Sequence, residues 1–449
     1  MVRRRLAPVW LGRIAILFLG CGVAGCARAP LATARAEPSS DHAVGPCPLE
    51  WAAPFDLRLP DGRRVYVESP HPIATRRGVA LLGSPTFVWE RPDAFFDSAG
   101  RNRTVASQGQ YVGALIDDAG RVSMIARPDV RGHIGEILVA ERDSATIDVL
   151  WATPPPAKPE DEHSYSQIWH ATFDGATWSK PELVVEADNI AWSRMTAAAF
   201  SSDGVLHVAV RAFDNTHAAA SHTGAIYARH DARGWMTRWL EPGGTGPQFV
   251  TFASIARDDL SLVFAGALRS GDSTISRALA VVRSPDRGTT WESPQLIRAL
   301  GDDEGYWVQS LRTGRLLHLF WAKAPFNAAG QGSSVEHLVT EDGTRWRPAP
   351  TVHFNAALRD FEVPTRGNHE RVRMVAQLGE RGDLVAAILN DTTWSITSFE
   401  ETTSARPTIE APRPGSLWVT WAARVAAAPP DTARGVPLFR LRRGATCDR

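Results

Sequence analysis

The densest group of reactive side chains is the run Asp302-Asp303-Glu304-Gly305-Tyr306, in which three carboxyl groups stand beside a phenol hydroxyl. Alternate residues of a β-strand share one face, so Glu304 and Tyr306 could converge on a common point. A carboxylate next to a phenol can carry acid–base or nucleophilic chemistry. A solvated surface loop of the same composition is the alternative that the sequence leaves open.

Further polar and aromatic residues stand near the expected starts of inner strands and complete a predicted ligand-binding set. With Asp302 and Asp303, this set consists of Arg194, His133, Trp192, Trp307, Arg359 and Asp360. Arg194 could face an anion, although an ordinary surface arginine is the alternative, and the two tryptophans could stack on sugar rings. No His-x-x-x-His, Cys-x-x-Cys, P-loop or dinucleotide-binding glycine pattern occurs, so we expect neither a metal nor a cofactor.

The elements that would position these residues are short apolar strands with an alternating pattern. They recur at roughly 55-residue intervals, separated by Gly, Pro and Asp turns and without helical periodicity. Their predicted starts are Thr86, Ile147, Val205, Leu260, Leu316, Arg371 and Leu417. This pattern predicts an all-β fold, a closed β-propeller of four-stranded antiparallel blades. Seven blades are favoured, with six as the alternative.

A second motif has the same period and predicts tight turns. Its clearest copy is Ser284-Pro285-Asp286-Arg287-Gly288-Thr289-Thr290-Trp291, where Ser284, Asp286, Gly288, Thr290 and Trp291 are the defining positions. Weaker copies contain Asp174 and Trp178, Asp231 and Trp235, Asp342 and Trp346, and Asp391 and Trp394. We expect each Asp to accept backbone N–H groups of its turn, the Gly to adopt positive φ, and the Trp to return to the apolar layer. These residues are therefore predicted to be structural.

The motif resembles the Asp-box of sialidases and other bacterial neuraminidase-repeat proteins. The resemblance implies three substrate-binding arginines, a Tyr nucleophile activated by a Glu, and an Asp acid/base; Tyr306 and Glu304 are the catalytic pair if the chain is an enzyme. The (Phe/Tyr)-Arg-Ile-Pro motif of that family is absent. We therefore expect a non-catalytic or vestigial module that binds glycan or protein. An exo-acting glycoside hydrolase of sialidase type and a cell-envelope scaffold are the alternatives.

The two ends of the mature chain are predicted to meet. Residues 63–69 could supply the missing strand beside residues 436–442, so that pairing of the chain termini closes the ring without an open edge. Cys47 and Cys447 lie near these segments, and in an oxidising compartment we expect them to form a disulfide. Two unpaired thiols are the alternative.

The N-terminus predicts export. A basic segment at Arg3-Arg4-Arg5 precedes a short apolar run, and Val23-Ala24-Gly25-Cys26 resembles a bacterial lipobox. We expect a signal peptide at 1–25, lipidated Cys26 with a flexible tether at 26–47, and the propeller at 48–449; an ordinary signal peptide cut further on is the alternative. A cell-envelope lipoprotein is predicted, with the outer membrane favoured.

Charge narrows the range of partners. The 49 basic and 49 acidic residues balance to a formal charge of zero, so no field would attract nucleic acid or an anionic membrane surface. We expect a monomer whose partner is a glycan or an envelope protein, and which contacts the membrane through its lipid anchor alone.

Overall fold

The chain divides into Met1–Gly45 and a second compact unit, Pro46–Arg449, and all described residues belong to the second unit. A computed structural model describes residues 50–67, 70–88, 110–130, 132–135, 137–143, 146–159, 165–201, 203–214, 222–240, 244–255, 260–270, 273–323, 332–364, 371–403, 407–411, 416–425 and 436–445. Within these ranges no helix has the length and hydropathy needed to cross a bilayer. The predicted lipidation site Cys26 and both predicted disulfide partners, Cys47 and Cys447, lie outside the described residues.

The described chain is all-β. The first half contains β1 (Glu50–Trp51), β2 (Phe55–Asp56), β3 (Val65–Val67), β4 (His71–Thr75), β5 (Gly78–Val88), β6 (Tyr111–Ile116), β7 (Val122–Ala126), β8 (Ile137–Asp143), β9 (Thr146–Thr153), β10 (Tyr165–Phe173), β11 (Glu182–Phe200), β12 (Leu206–Asp214), β13 (His222–Asp231) and β14 (Gly234–Leu240). The second half contains β15 (Gly244–Ile255), β16 (Leu260–Ser270), β17 (Ser273–Ser284), β18 (Gln295–Ala299), β19 (Glu304–Thr313), β20 (Leu316–Lys323), β21 (Ser333–Thr340), β22 (Arg347–Pro348), β23 (Val352–Phe354), β24 (Leu358–Glu362), β25 (Arg373–Leu378), β26 (Asp383–Asn390), β27 (Thr393–Thr402), β28 (Thr408–Glu410), β29 (Ser416–Val425) and β30 (Val436–Ala445).

These strands form antiparallel sheets that follow one another along the chain. Two sheets have four strands, β15–β18 and β24–β27, and three have five because an outer or inner strand is broken into two pieces. A seven-stranded sheet runs in the order β14-β13-β12-β11-β10-β9-β8. Its central strand β11 pairs with β10 through its first half and with β12 mainly through its second. The sheet is therefore two four-stranded units that share β11.

The predicted apolar strands are the second strands of these units. Six predicted starts lie within two residues of β9, β12, β16, β20, β25 and β29, so these predictions are confirmed. Such strands are buried on both faces; β20, for example, has six consecutive buried residues. The start predicted at Thr86 is wrong, because β5 already begins at Gly78, where a tight turn leads out of β4.

The hydrophobic core is distributed between consecutive sheets. One cluster, for example, joins Ala209 and Tyr227 of the β12–β13 hairpin to Leu262, Phe264 and other residues of the next sheet. Six further clusters lie along the chain. Each sheet therefore buries apolar surface against its sequence neighbours, which is the main stabilising contribution expected for such an array.

The first and last described strands pair with each other, but the N-terminal segment that pairs is not the predicted one. β1 and β2 pair with β30, with Glu50 opposite Ala445 and Phe55 opposite Leu441. The predicted pairing of residues 63–69 with residues 436–442 is wrong, since β3 pairs with β5. The reason is a turn in which the Leu59 N–H donates to the Arg63 carbonyl, which directs the chain into the next sheet.

A cation–π contact supports the pairing of the chain ends. The Arg443 guanidinium of β30 lies 5.1 Å from the ring centroid of Phe55 and 4.6 Å from that of Trp418. Contacts of this kind contribute about 0.5–1 kcal/mol at exposed sites. The N-terminal strand is thus held to β30 by side-chain packing as well as by backbone hydrogen bonds.

Candidate functional site

The turn around Asp286 joins β17 to β18 through a compact hydrogen-bond network. Asp286 accepts the backbone N–H of Thr290 at 2.6 Å and its hydroxyl at 2.7 Å. The Ser284 hydroxyl donates to Asp286 at 3.0 Å and accepts the Gly288 N–H at 2.6 Å. These bonds, led by the Thr290 N–H, lower the pKa of Asp286. Gly288 adopts φ of 81°, so the network stabilises a turn that favours glycine.

This turn also packs against the preceding sheet. A Cβ on Gly288 would lie 2.2 Å from the hydroxyl oxygen of Tyr227 on β13. The Tyr227 hydroxyl donates to the Arg287 carbonyl at 3.2 Å, and Arg229 donates to the same carbonyl at 2.7 Å. The Trp291 ring meets the Tyr227 ring edge-on, with centroids 5.0 Å apart. The turn therefore connects neighbouring sheets, and its side chains are engaged within the protein.

The weaker copies divide into two kinds. Asp174 and Asp342 each accept two backbone N–H groups of their turns at 2.8 Å. Asp231 and Asp391 instead stand at two-residue hairpin loops, which are too short for the full network, and Asp391 itself has φ of 51°. All five motif tryptophans are half-buried against hydrophobic clusters: Trp178, Trp235, Trp291, Trp346 and Trp394.

Glu304, predicted as the catalytic carboxylate, is engaged in a buried network. Its side chain accepts hydrogen bonds from Arg298 at 2.8 Å, from the Trp321 indole at 3.0 Å and from the Gly301 N–H at 2.6 Å. The residue is only 3% exposed. The carboxylate therefore links β18, β19 and β20, and its assignment to a catalytic pair with Tyr306 stays a prediction.

The predicted convergence of Glu304 with Tyr306 depended on regular strand alternation. The pairing of β19 with β20 shifts register between Glu304 and Val308, so residues two apart no longer necessarily share a face. The Tyr306 side chain lies outside the described part of the chain. So do those of Trp192 and Arg194, whose backbone occupies a register shift in β11 between Ala191 and Thr196.

The remaining predicted binding residues differ in how deeply they are buried. Trp307 is 6% exposed and packs against Phe361 with centroids 5.5 Å apart, so little of its ring is open to a sugar, and its role in stacking stays a prediction. Asp360 is also buried. Asp302, Asp303 and Arg359 are exposed, and His133 is half-buried with its backbone N–H bonded to Pro159. The exposed subset lies at the starts of β19 and β24.

A buried chain of polar groups was missed by the sequence analysis. The Thr313 hydroxyl lies 2.6 Å from His318 Nε2, His318 Nδ1 lies 2.8 Å from His337 Nε2, and His337 Nδ1 lies 3.2 Å from the Pro350 carbonyl. Burial lowers the pKa of both histidines, so both rings are neutral at neutral pH. Because a carbonyl only accepts, the neutral His337 carries its proton on Nδ1, and His318 donates its Nδ1 proton to His337 Nε2.

A second polar cluster lies between β10, β11 and β13. His170 Nε2 lies 2.8 Å from the fully buried Asp148 carboxylate. Glu182 Oε2 stands 4.0 Å from His170 Nδ1 and 3.6 Å from His230 Nε2. Across the described ranges no three His, Cys, Asp or Glu side chains stand in an arrangement suited to a metal ion. The two histidines lie on different strands, β10 and β13, so they carried no signal in the sequence.

An open groove of about 500 Å³ lies beside the sheet formed by β3 to β7. Its lining includes Leu59, Asp61, Arg63, Val88, Tyr111, Ser123 and Met124. No single sequence motif contains these residues, because they come from a turn and three different strands. The Pro60-Asp61-Gly62 turn was the one local signal.

Comparison with known proteins assigns no functional site to this chain. No family model and no curated protein matches the sequence. Among solved structures, polysaccharide lyase Uly1 is similar, with 13% identity, a TM-score of 0.44, and coverage of 76% of this chain and 85% of that chain. Levansucrase of Bacillus subtilis has 9% identity and a TM-score of 0.39 over 61% of this chain and 88% of its own. A levansucrase mutant of B. megaterium has 9% identity and a TM-score of 0.39, covering 64% and 88%.

Proposed function

We propose that this chain is an exported, lipid-anchored seven-bladed β-propeller that binds glycan without glycosidic turnover. Division of the seven-stranded sheet at β11 turns six sheets into seven four-stranded units. The last unit contains β28, β29 and β30 and takes its fourth strand from β1 and β2. Pairing of the chain ends is the device that a closed ring requires. Both features support closure with seven blades.

The binding-only function rests on one observation, the engagement of Glu304. Its carboxylate accepts hydrogen bonds from an arginine, an indole and a backbone N–H, so three donors of the protein hold it in place. It is poorly suited to take a proton from a nucleophile. The missing (Phe/Tyr)-Arg-Ile-Pro motif points the same way, because a sialic-acid carboxylate would lose a bidentate arginine partner.

The glycan ligand is supported by the Asp-box resemblance of residues 284–291. That motif positions no ligand here, since its Asp, Ser and Trp side chains are engaged in the turn or packed between sheets. The resemblance thus supports a glycan-related role and leaves the binding surface to other residues.

The proposed function is tested with the purified mature chain on two assays. We expect binding to a subset of a glycan array, and no hydrolysis of a fluorogenic sialoside or of a panel of neutral glycosides. Turnover would establish the glycoside hydrolase alternative. Absence of any glycan binding would overturn the proposal and favour the envelope-scaffold alternative.

The proposed anchor is tested separately. Replacing Cys26 with Ser removes the thiol that lipidation needs, so we expect the protein to leave the membrane fraction while its urea unfolding midpoint stays unchanged. An unchanged membrane fraction in Cys26→Ser would contradict lipid anchoring. In the unchanged protein, separation of inner from outer membranes would test the favoured outer-membrane location.

A further inference from the structure

We propose that the groove between the Leu59–Arg63 turn and strands β6 and β7 is the glycan-binding site, and that it selects neutral saccharides with vicinal hydroxyl groups. This inference rests on the proposed glycan-binding function and names its site and ligand class. A volume of about 500 Å³ falls in the range of small-molecule sites. It is large enough to receive a sugar unit.

The groove has an apolar floor and an aromatic wall. Val88 and Val122 are buried, and Leu59 and Met124 are half-buried beside them. Tyr111, at the start of β6, is half-buried and packs against the same cluster. The C–H faces of a pyranose ring are apolar, so they fit against such a surface while the hydroxyl groups point to the rim.

The rim carries polar groups with unused hydrogen-bonding capacity. Arg63 Nε donates to Asp61 Oδ2 at 2.7 Å, and within the described part of the chain no further hydrogen bond is made by the Arg63 guanidinium. The Tyr111 and Ser123 hydroxyls likewise have no protein partner there, and Ser123 is exposed. Two terminal guanidinium nitrogens, two hydroxyls and a carboxylate can therefore engage the donor and acceptor pairs of a sugar.

The charge of this rim favours a neutral ligand. The backbone N–H of Arg63, followed by its side chain, lowers the pKa of Asp61, so the carboxylate remains ionised at neutral pH. Asp61 and Arg63 together have no net charge. An acidic sugar approaching the free edge of Arg63 would also approach the Asp61 carboxylate, and like charges at such separations oppose binding. This selectivity differs from the sialic-acid specificity that the sequence resemblance implies.

The test compares the Asp61–Arg63 pair with a matched pair elsewhere. Arg381 and Asp383 are also two residues apart, exposed and ion-paired, at 3.1 Å, but they stand at the β25–β26 turn. We would titrate the mature chain, Arg63→Gln and Arg381→Gln with methyl α-mannoside, lactose, cellobiose and a methyl sialoside, using calorimetry and saturation-transfer NMR.

We expect at least one neutral saccharide to bind, with affinity reduced roughly tenfold or more in Arg63→Gln, as for loss of a hydrogen bond to a charged group. Arg381→Gln should bind as the unchanged protein does, with all three unfolding midpoints similar. Equal affinity in Arg63→Gln, or preference for the sialoside, would overturn the groove assignment and leave glycan binding intact. If no saccharide binds, and the glycan array is also negative, both proposals fail.

Discussion

The buried histidine pair predicts a loss of stability in mild acid. Burial lowers the pKa of His318 to about 4, with the Arg347 charge acting in the same direction. Burial, assisted by the charge of His318, lowers the pKa of His337 to about 3. The hydrogen-bond chain adds a geometric reason for His337, because a proton on its Nε2 would face the Nδ1–H of His318.

The magnitude follows from proton linkage. An unfolded histidine has a pKa near 6.5, so as pH falls below 6.5 the unfolded chain takes up protons that the folded rings do not. Stability is therefore full above about pH 6.5 and falls towards the folded pKa. The slope for each ring approaches about 1.4 kcal/mol per pH unit below pH 6.5, and the pair loses about 4 kcal/mol between pH 7 and pH 5. His207, whose pKa burial lowers to about 4, adds about 2 kcal/mol by the same reasoning.

The assay is urea unfolding at pH 7, 6 and 5, with His318→Gln/His337→Gln beside the unchanged chain. We expect the unchanged protein to lose about 6 kcal/mol of unfolding free energy and the double variant about 2 kcal/mol. The exposed His353 supplies the control, since His353→Gln should behave as the unchanged chain. A double variant with the original pH dependence would refute the assignment of this loss to the pair.

Three further predictions concern single contacts. Gly288→Ala should lower the free energy of unfolding by about 2–4 kcal/mol, because the new Cβ meets the Tyr227 hydroxyl and φ is positive. Gly204→Ala is the control, since this glycine has φ of 78° and open space around it, and it should cost only about 1 kcal/mol. Equal midpoints in urea unfolding would contradict the packing account. Glu304→Gln should destabilise the fold by about 1–3 kcal/mol in the same assay, because it leaves Arg298 without its carboxylate. Replacement of the exposed Asp303 by Asn should not change the stability. An unchanged midpoint in Glu304→Gln would show that the ion pair contributes no net stability. Cys47 and Cys447 should be joined in unreduced peptides analysed by mass spectrometry, since the nearby residues Glu50 and Ala445 pair; free thiols at both positions would oppose this.

The strands were largely predictable from the sequence, and the connections between them less so. Second strands such as β20 are buried on both faces, so their apolar runs are unmistakable. The strand that pairs with β30 was assigned to residues 63–69 because the pattern there alternates. The pairing actually uses the shorter β1 and β2, because the turn from Leu59 to Arg63 reverses the chain before Val65. A short edge strand carries little periodic signal.

The site was less accessible to sequence reasoning than the strands. Glu304 and Trp307 have the residue types of a binding site, but a register shift in β19 and packing against the neighbouring sheets bury both. The groove residues Asp61 and Arg63 lie in one turn, and β3, β4 and β5 separate that turn from Tyr111, so no local pattern connects them. Burial of a polar side chain depends on its partners, and those partners are distant in sequence.

The sequence by itself determined the repeated strand-and-turn unit, because apolar alternation and Asp–Gly turn chemistry act over a few neighbouring residues. It also determined the neutral charge that argues against nucleic-acid partners. Only the tertiary structure decided which polar groups are engaged and which remain available. Glu304 bonds to Arg298, Trp321 and Gly301, whereas Arg63 lines an open groove. The physical reason is that hydrogen bonding and solvent exposure arise between sheets, where residues far apart in the chain meet.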